Sequence, residues 1–121
     1  MRILLLEDTA TIREALVDAL SRKQYDVEAA ATLEECERIL QRGPVQLALL
    51  DRHVAGRDSL ELLGRLRERW PELPVVMMSS DSSPESVKAV MSRGARGFLA
   101  KPFELNVLMT TVEGILKGAA E

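Results

Sequence analysis

The sequence lacks several features that would assign a class at once. It has a single cysteine, Cys36, which excludes an internal disulfide and a cysteine metal cluster. No apolar run approaches the length that crosses a bilayer. Met1-Arg2-Ile3 enters a strand-like run directly, without a signal-peptide layout. A cytoplasmic protein without membrane contact is the resulting expectation. The net charge is −3 and no basic block occurs, which argues against direct nucleic-acid binding by this domain. Repeats, low-complexity stretches and internal linkers are absent, as are the glycine-rich phosphate loops of nucleotide- and flavin-binding folds. With 121 residues, 46% of them apolar, the chain reads as one domain over 1–121 with a full hydrophobic core.

What is present is an alternation of two periodicities. Short apolar runs at Ile3–Leu6, Tyr25–Ala30, Val45–Leu50, Val75–Met78 and Phe98–Ala100 read as strands. Between them lie helical stripes. Ile12, Ala15, Leu16, Ala19 and Leu20 share one face of a helix over about 10–22. Thr32 to Glu35 matches a capping box; Leu33, Cys36, Ile39 and Leu40 follow, and Gly43-Pro44 ends that helix. Leu60, Leu63, Leu66 and Trp70 mark a third helix stopped by Pro71. Ser83-Pro84 opens a fourth, with Val87, Val90 and Met91 inward and Gly94 at its close. Leu105, Leu108, Val112 and Ile115 form the inner line of the last, over about 105–116. Five β-α units in series predict an α/β, doubly wound parallel sheet of five strands with five helices. The third and fourth strands are almost uninterrupted in apolar character, as doubly covered strands should be.

Four of these strands end on residues that handle phosphate or metal: Glu7-Asp8, Asp51, Ser79 and Lys101. In open parallel sheets, ligands sit outside the carboxyl ends of the strands. Three carboxylates gathered there would repel one another unless a cation neutralised them. Hard oxygen donors with room for water suit Mg²⁺. Asp51 is the best-placed nucleophile, since a carboxylate can accept a phosphoryl group as an acyl phosphate. Such transfer needs alignment and charge neutralisation at the phosphoryl oxygens. Lys101 can supply one positive charge, and the Ser79 hydroxyl can donate to a phosphoryl oxygen and so sense its arrival.

These residues, in this order and at these intervals, resemble the receiver domain of bacterial two-component response regulators. The resemblance runs from Arg2 to about Lys117. It rests on Glu7-Asp8, Asp51, the run from Pro74 to Ser79, and the run from Gly94 to Phe103. It implies a flavodoxin-like fold with strand order 2-1-3-4-5. It implies that Glu7, Asp8 and Asp51 hold Mg²⁺ together with the backbone carbonyl of His53. Asp51 would take phosphate from a sensor histidine kinase or phosphotransfer protein, with Lys101 on the phosphoryl group. Ser79 and Phe98 would be the coupled switch pair, with a cis bond before Pro102. The fourth helix, last strand and last helix would form the output surface, acting on a downstream domain or protein or on a second copy in a phosphorylation-dependent homodimer. A domain of this kind modifies itself rather than turning over an external substrate.

Departures from the family pattern fall after Asp51, in Arg52-His53-Val54-Ala55-Gly56-Arg57-Asp58-Ser59. Ala55 stands where the family usually has proline, so a less rigid loop is expected. Ser59 stands where it usually has glycine, so a positive φ there would be strained unless the loop has changed shape. His53 would lie near the phosphorylation site and could influence how water reaches an acyl phosphate. Two other classes compete: a receiver-like adaptor that works without phosphate, and an aspartate-nucleophile phosphatase. The latter needs a second acid where this chain has His53. Cys36, on an apolar stripe, reads as a small buried hydrophobe. Arg65, Arg67 and Arg69 with Glu68 read as a solvated helix end.

Overall fold

Unbroken runs of leucine, valine and methionine become the centre of a sheet covered on both sides. In the computed structural model, which describes residues 1–120, the order is β1 (Arg2–Leu6), α1 (Ala10–Ser21), β2 (Asp26–Ala30), α2 (Leu33–Arg42), β3 (Leu47–Asp51), β4 (His53–Val54), β5 (Arg57–Asp58), α3 (Leu60–Arg69), β6 (Val75–Ser79), α4 (Pro84–Ser92), β7 (Gly97–Ala100) and α5 (Leu105–Ala120). The main sheet has the order β2-β1-β3-β6-β7, with every neighbouring pair parallel. Counting only its own strands, that is the 2-1-3-4-5 arrangement. β3 and β6 are buried along their whole length. The unforeseen element is β4–β5, a two-stranded antiparallel hairpin directly after Asp51. None of the described helices is long and apolar enough to cross a membrane.

Helix boundaries follow their local chemistry. Thr32 caps α2 by accepting from the Glu35 N–H at 3.1 Å, while its hydroxyl donates to the Glu35 carboxylate at 3.3 Å. The capping box is thus closed through the hydroxyl. Ser83 caps α4 by accepting from the Ser86 N–H at 3.2 Å, with Pro84 in the first turn. Gly94, past the end of α4, has a φ of +99°, a conformation that favours glycine.

Two apolar layers flank the sheet. Leu4, Leu6, Ala48, Leu50, Val75 and Met77 meet α2, α3 and α4, with Cys36 buried among them. Ile3, Leu5, Leu47, Leu49, Val76 and Met78 meet α1 and α5. The alternation is the period-two pleat of a strand, and it fixes where the strand-end side chains go. Glu7, Asp51 and Lys101 share the parity of the α1/α5 face. Arg52, Ser79 and Phe98 share the parity of the α2/α3/α4 face.

Several helix positions differ from expectation. Ile12 and Leu105 are 39% and 50% exposed, and Ala15 is exposed too. Both helices begin just past the ends of their strands, so the first turns overhang the sheet edge and only later turns reach the core. On α4, Ser86 and Val90 point inward and Met91 is exposed. The arginines ending α3 are not simply solvated. Arg67 donates to the backbone carbonyls of Pro71 and Leu73, Arg65 pairs with Glu37 of α2, and Arg69 lies over the Trp70 ring.

Candidate functional site

The sheet's hydrogen-bond ladder runs one residue past its strands. Glu7 N–H donates to Ala30 O at 3.0 Å, Arg52 N–H to Met78 O at 2.8 Å, and Lys101 N–H to Ser79 O at 2.8 Å. Backbone pairing, rather than loop geometry, therefore positions the strand-end side chains. Glu7, Asp8 and Asp51 offer carboxylate oxygens that all lie within 4.8 Å of one another. Lys101 Nζ reaches in from β7, 2.8 Å from Glu7 Oε1 and 3.3 Å from Asp51 Oδ2. The expected cis bond follows it, between Lys101 and Pro102.

The electrostatics of this cluster are unbalanced. Glu7 is fully buried and Asp51 is 7% exposed, yet one ammonium faces three carboxylates. Burial, then the adjacent Glu7, pushes Asp51 up to about 6 from an ordinary 3.8. Burial opposes the charge on Lys101, but Glu7 and Asp51 hold its ammonium above the usual range. Asp8 moves the other way: the Ala55 N–H donates to its Oδ2 at 2.9 Å and holds it below the usual carboxylate range, against burial. An all-oxygen cluster with negative charge left over is what a hard divalent cation fits.

Glu7 is braced on both oxygens, by Lys101 and by the Thr9 N–H at 3.1 Å. Ser79 is buried at the end of β6, and its Oγ accepts from the Asp81 N–H at 3.1 Å. That bond ties the hydroxyl to the loop that enters α4. Phe98 pairs in register with Met77 and is partly buried against the α2/α3/α4 layer. It is thus on the same sheet face as Ser79. His53 is exposed in β4, opposite Asp58.

The loop after Asp51 is an antiparallel hairpin, and its positive φ values fall at the tip rather than at Ser59. Ala55 and Gly56 have φ of 52° and 78°, the pair of positive values that defines a type I′ hairpin turn. Ser59 has an unstrained φ of −71°. It is fully buried, and its hydroxyl donates to the Asp51 backbone carbonyl at 2.7 Å. Arg52 was not singled out by the sequence. Its guanidinium donates to Ser86 Oγ of α4 at 2.6 Å and pairs with Asp58 at 3.3 Å. Strand parity was the available signal, since it sends residue 52 toward the helix layer that contains α4.

Beside Lys101, the overhanging first turns of α1 and α5 leave an apolar groove of about 520 Å³ lined by Ile12, Ala15, Leu16, Pro102, Phe103 and Leu105. It opens next to the carboxylate cluster.

The response regulator receiver domain family matches residues 3–113. The response regulator protein FleR of Pseudomonas aeruginosa is 34% identical across 99% of this chain and 26% of its own length. The transcriptional regulatory protein PmrA of Pectobacterium parmentieri is 29% identical across 97% of this chain and 53% of its own. The chain thus spans between about a quarter and a half of these curated relatives. Among solved structures, a CheY-like response regulator receiver domain protein from Methanospirillum hungatei superposes with a TM-score of 0.92 at 25% identity, covering 98% and 95% of the two chains. NtrX from Brucella abortus does so with a TM-score of 0.91 at 29% identity, covering 98% of this chain and 27% of its own. Fold, strand-end cluster and sequence likeness agree: this chain belongs to the response regulator receiver domain family.

Proposed function

We propose that this receiver is a phosphorylation-driven switch of a two-component pathway, acting in the cytoplasm. Asp51 attacks the phosphorus of a phosphohistidine on a sensor histidine kinase or phosphotransfer protein. The P–N bond breaks, an aspartyl P–O bond forms, and the imidazole leaves with its electron pair. Glu7, Asp8 and Asp51, with the His53 backbone carbonyl, would hold Mg²⁺, which when bound supplies positive charge to the phosphoryl oxygens. Lys101, 3.3 Å from Asp51 Oδ2, would supply a second positive charge. The observation that carries this reading is the excess negative charge around a buried Asp51, with one ammonium for three carboxylates. The apolar groove beside Lys101 suits the helix of a phosphodonor, because it would seat a partner next to the nucleophile.

The output step follows from the position of Ser79. When its hydroxyl turns to a phosphoryl oxygen, its bond to the Asp81 N–H carries the α4 entry loop with it. Phe98, on the same sheet face, fills the space that opens. The α4/β7/α5 surface, which includes exposed Met91 and Val107, would report the change to an output domain, a partner or a second copy, as a shift between two populated arrangements. The chain acts on itself and is not an enzyme with an external product. A phosphate-independent adaptor is disfavoured by the hairpin after Asp51, which keeps a hydrogen bond on Asp8.

Beryllium fluoride with Mg²⁺, a mimic of the acyl phosphate, tests this. Amide shifts should change at Ser79, through the entry loop and along α4, and Asp51→Asn should abolish them. A wild-type spectrum unmoved by both reagents would overturn the switch and favour the adaptor.

A further inference from the structure

We propose that Ala55 is a positioning residue for Asp8, presenting its backbone N–H to one oxygen of that carboxylate so that it is oriented for the divalent ion. The proposal rests on the reading that Glu7, Asp8 and Asp51 hold such an ion. It begins from a conflict in the backbone. Ala55 has a φ of 52°, where a residue with a Cβ is disfavoured, and in a two-residue I′ turn that position is usually Asn, Asp or Gly. Something must hold the turn in place.

Three anchors do so. Val54, immediately before the turn, is buried in the layer of α2 and α3. Arg57, immediately after it, donates to Glu34 of α2 at 2.6 Å and also pairs with Glu61 of α3. Asp58 caps the Leu60 N–H at 3.0 Å and pairs with Arg52. The hairpin is therefore clamped at its base and stem. At its tip the Ala55 N–H donates to Asp8 Oδ2 at 2.9 Å, across 47 residues of chain. Asp8 is itself exposed and follows the end of β1, so the surrounding protein restrains it less than it restrains buried Glu7. Outer hydrogen bonds of this kind fix the orientation of metal-binding side chains. A proline at position 55 would have no N–H to give and would need a φ near −65°. Where the family usually has proline, the alanine supplies the donor that Asp8 accepts.

The test is Mg²⁺ affinity, measured by calorimetry or amide shifts on the whole chain, alongside the melting temperature. Ala55→Gly keeps the donor and relieves the left-handed backbone, so Mg²⁺ affinity should be retained and Tm should rise. Ala55→Pro removes the donor, and affinity should fall about tenfold. A purely structural role would lower Tm in Ala55→Pro while leaving affinity unchanged, and that result overturns the proposal. If Ala55→Pro does not fold, the Ala55 amide decides. It should be protected from hydrogen exchange in the wild type and lose that protection in Asp8→Ala; an unprotected wild-type amide overturns the proposal. Wild-type protein that binds no Mg²⁺ overturns the metal reading as well. Unchanged Mg²⁺ affinity in folded Ala55→Pro overturns this proposal alone.

Discussion

The Lys101 ammonium donates to Glu7 Oε1 at 2.8 Å, across 94 residues of chain, and Glu7 has no solvent exposure. The pair joins the first and last strand-end residues of the site. Removing one partner of a buried pair strands the other charge, which costs far more than a surface ion pair is worth. Lys101→Ala should therefore destabilise the metal-free protein by about 3 kcal/mol, read from the urea midpoint. Saturating Mg²⁺ should recover part of the loss. An unchanged midpoint would mean that Glu7 finds another cation or a proton.

Asp51 gives the protein a characteristic pH dependence. Its folded value of about 6 lies above the ordinary 3.8, so the folded state holds this proton more tightly than the unfolded chain does. The stabilisation from protonated Asp51 is fully present below about pH 4 and is lost as pH rises through about 6. At neutral pH the ionised group costs the metal-free fold on the order of 3 kcal/mol or less. Asp51→Asn should accordingly be more stable than the wild type at pH 7.5 in a chelator, with the difference vanishing near pH 4. Urea melts at the two values check this; a gap of equal size at both would show that charge is not its cause.

Arg52, the residue after Asp51, reaches the first turn of α4 through Ser86 at 2.6 Å. Arg52→Ala leaves Asp58 without this cation and Ser86 without its donor. We expect a loss of about 1–2 kcal/mol and faster amide exchange from Val87 to Met91, with α1 and α2 unaffected. Arg52→Lys should restore little, because an ammonium lacks the fork that spans both partners. Uniform acceleration across all helices would instead indicate global destabilisation.

Much of this architecture was legible in the sequence because two periodicities carry it. The parity of Ile3, Leu5 and Glu7 along β1, and of Leu47, Leu49 and Asp51 along β3, places both carboxylates on the α1/α5 face once the strands are in register. Gly94 through its backbone preference, Ser83 through its capping hydroxyl and Pro84 through its fixed φ marked the ends of α4. The hairpin after Asp51 was not legible. Its turn is Ala-Gly rather than Asn-Gly, and its strands are two residues long, so neither turn chemistry nor alternation signals it. What holds it are Arg57 with Glu34 and Glu61, and Ala55 with Asp8. Two of those contacts, to Glu34 and to Asp8, reach across the fold and leave no local trace. The exposure of Ile12 and Leu105 was hidden for a related reason. Helical spacing identifies a face but not how far a helix extends beyond the sheet it covers.

Phosphoryl acceptance by Asp51 is tested most directly by intact-mass measurement after incubation with Mg²⁺ and a small phosphodonor such as acetyl phosphate. The wild type should gain the mass of one phosphoryl group, and neither Asp51→Ala nor the metal-free wild type should. A mass shift that persists in Asp51→Ala would place the phosphoryl group elsewhere and contradict the account.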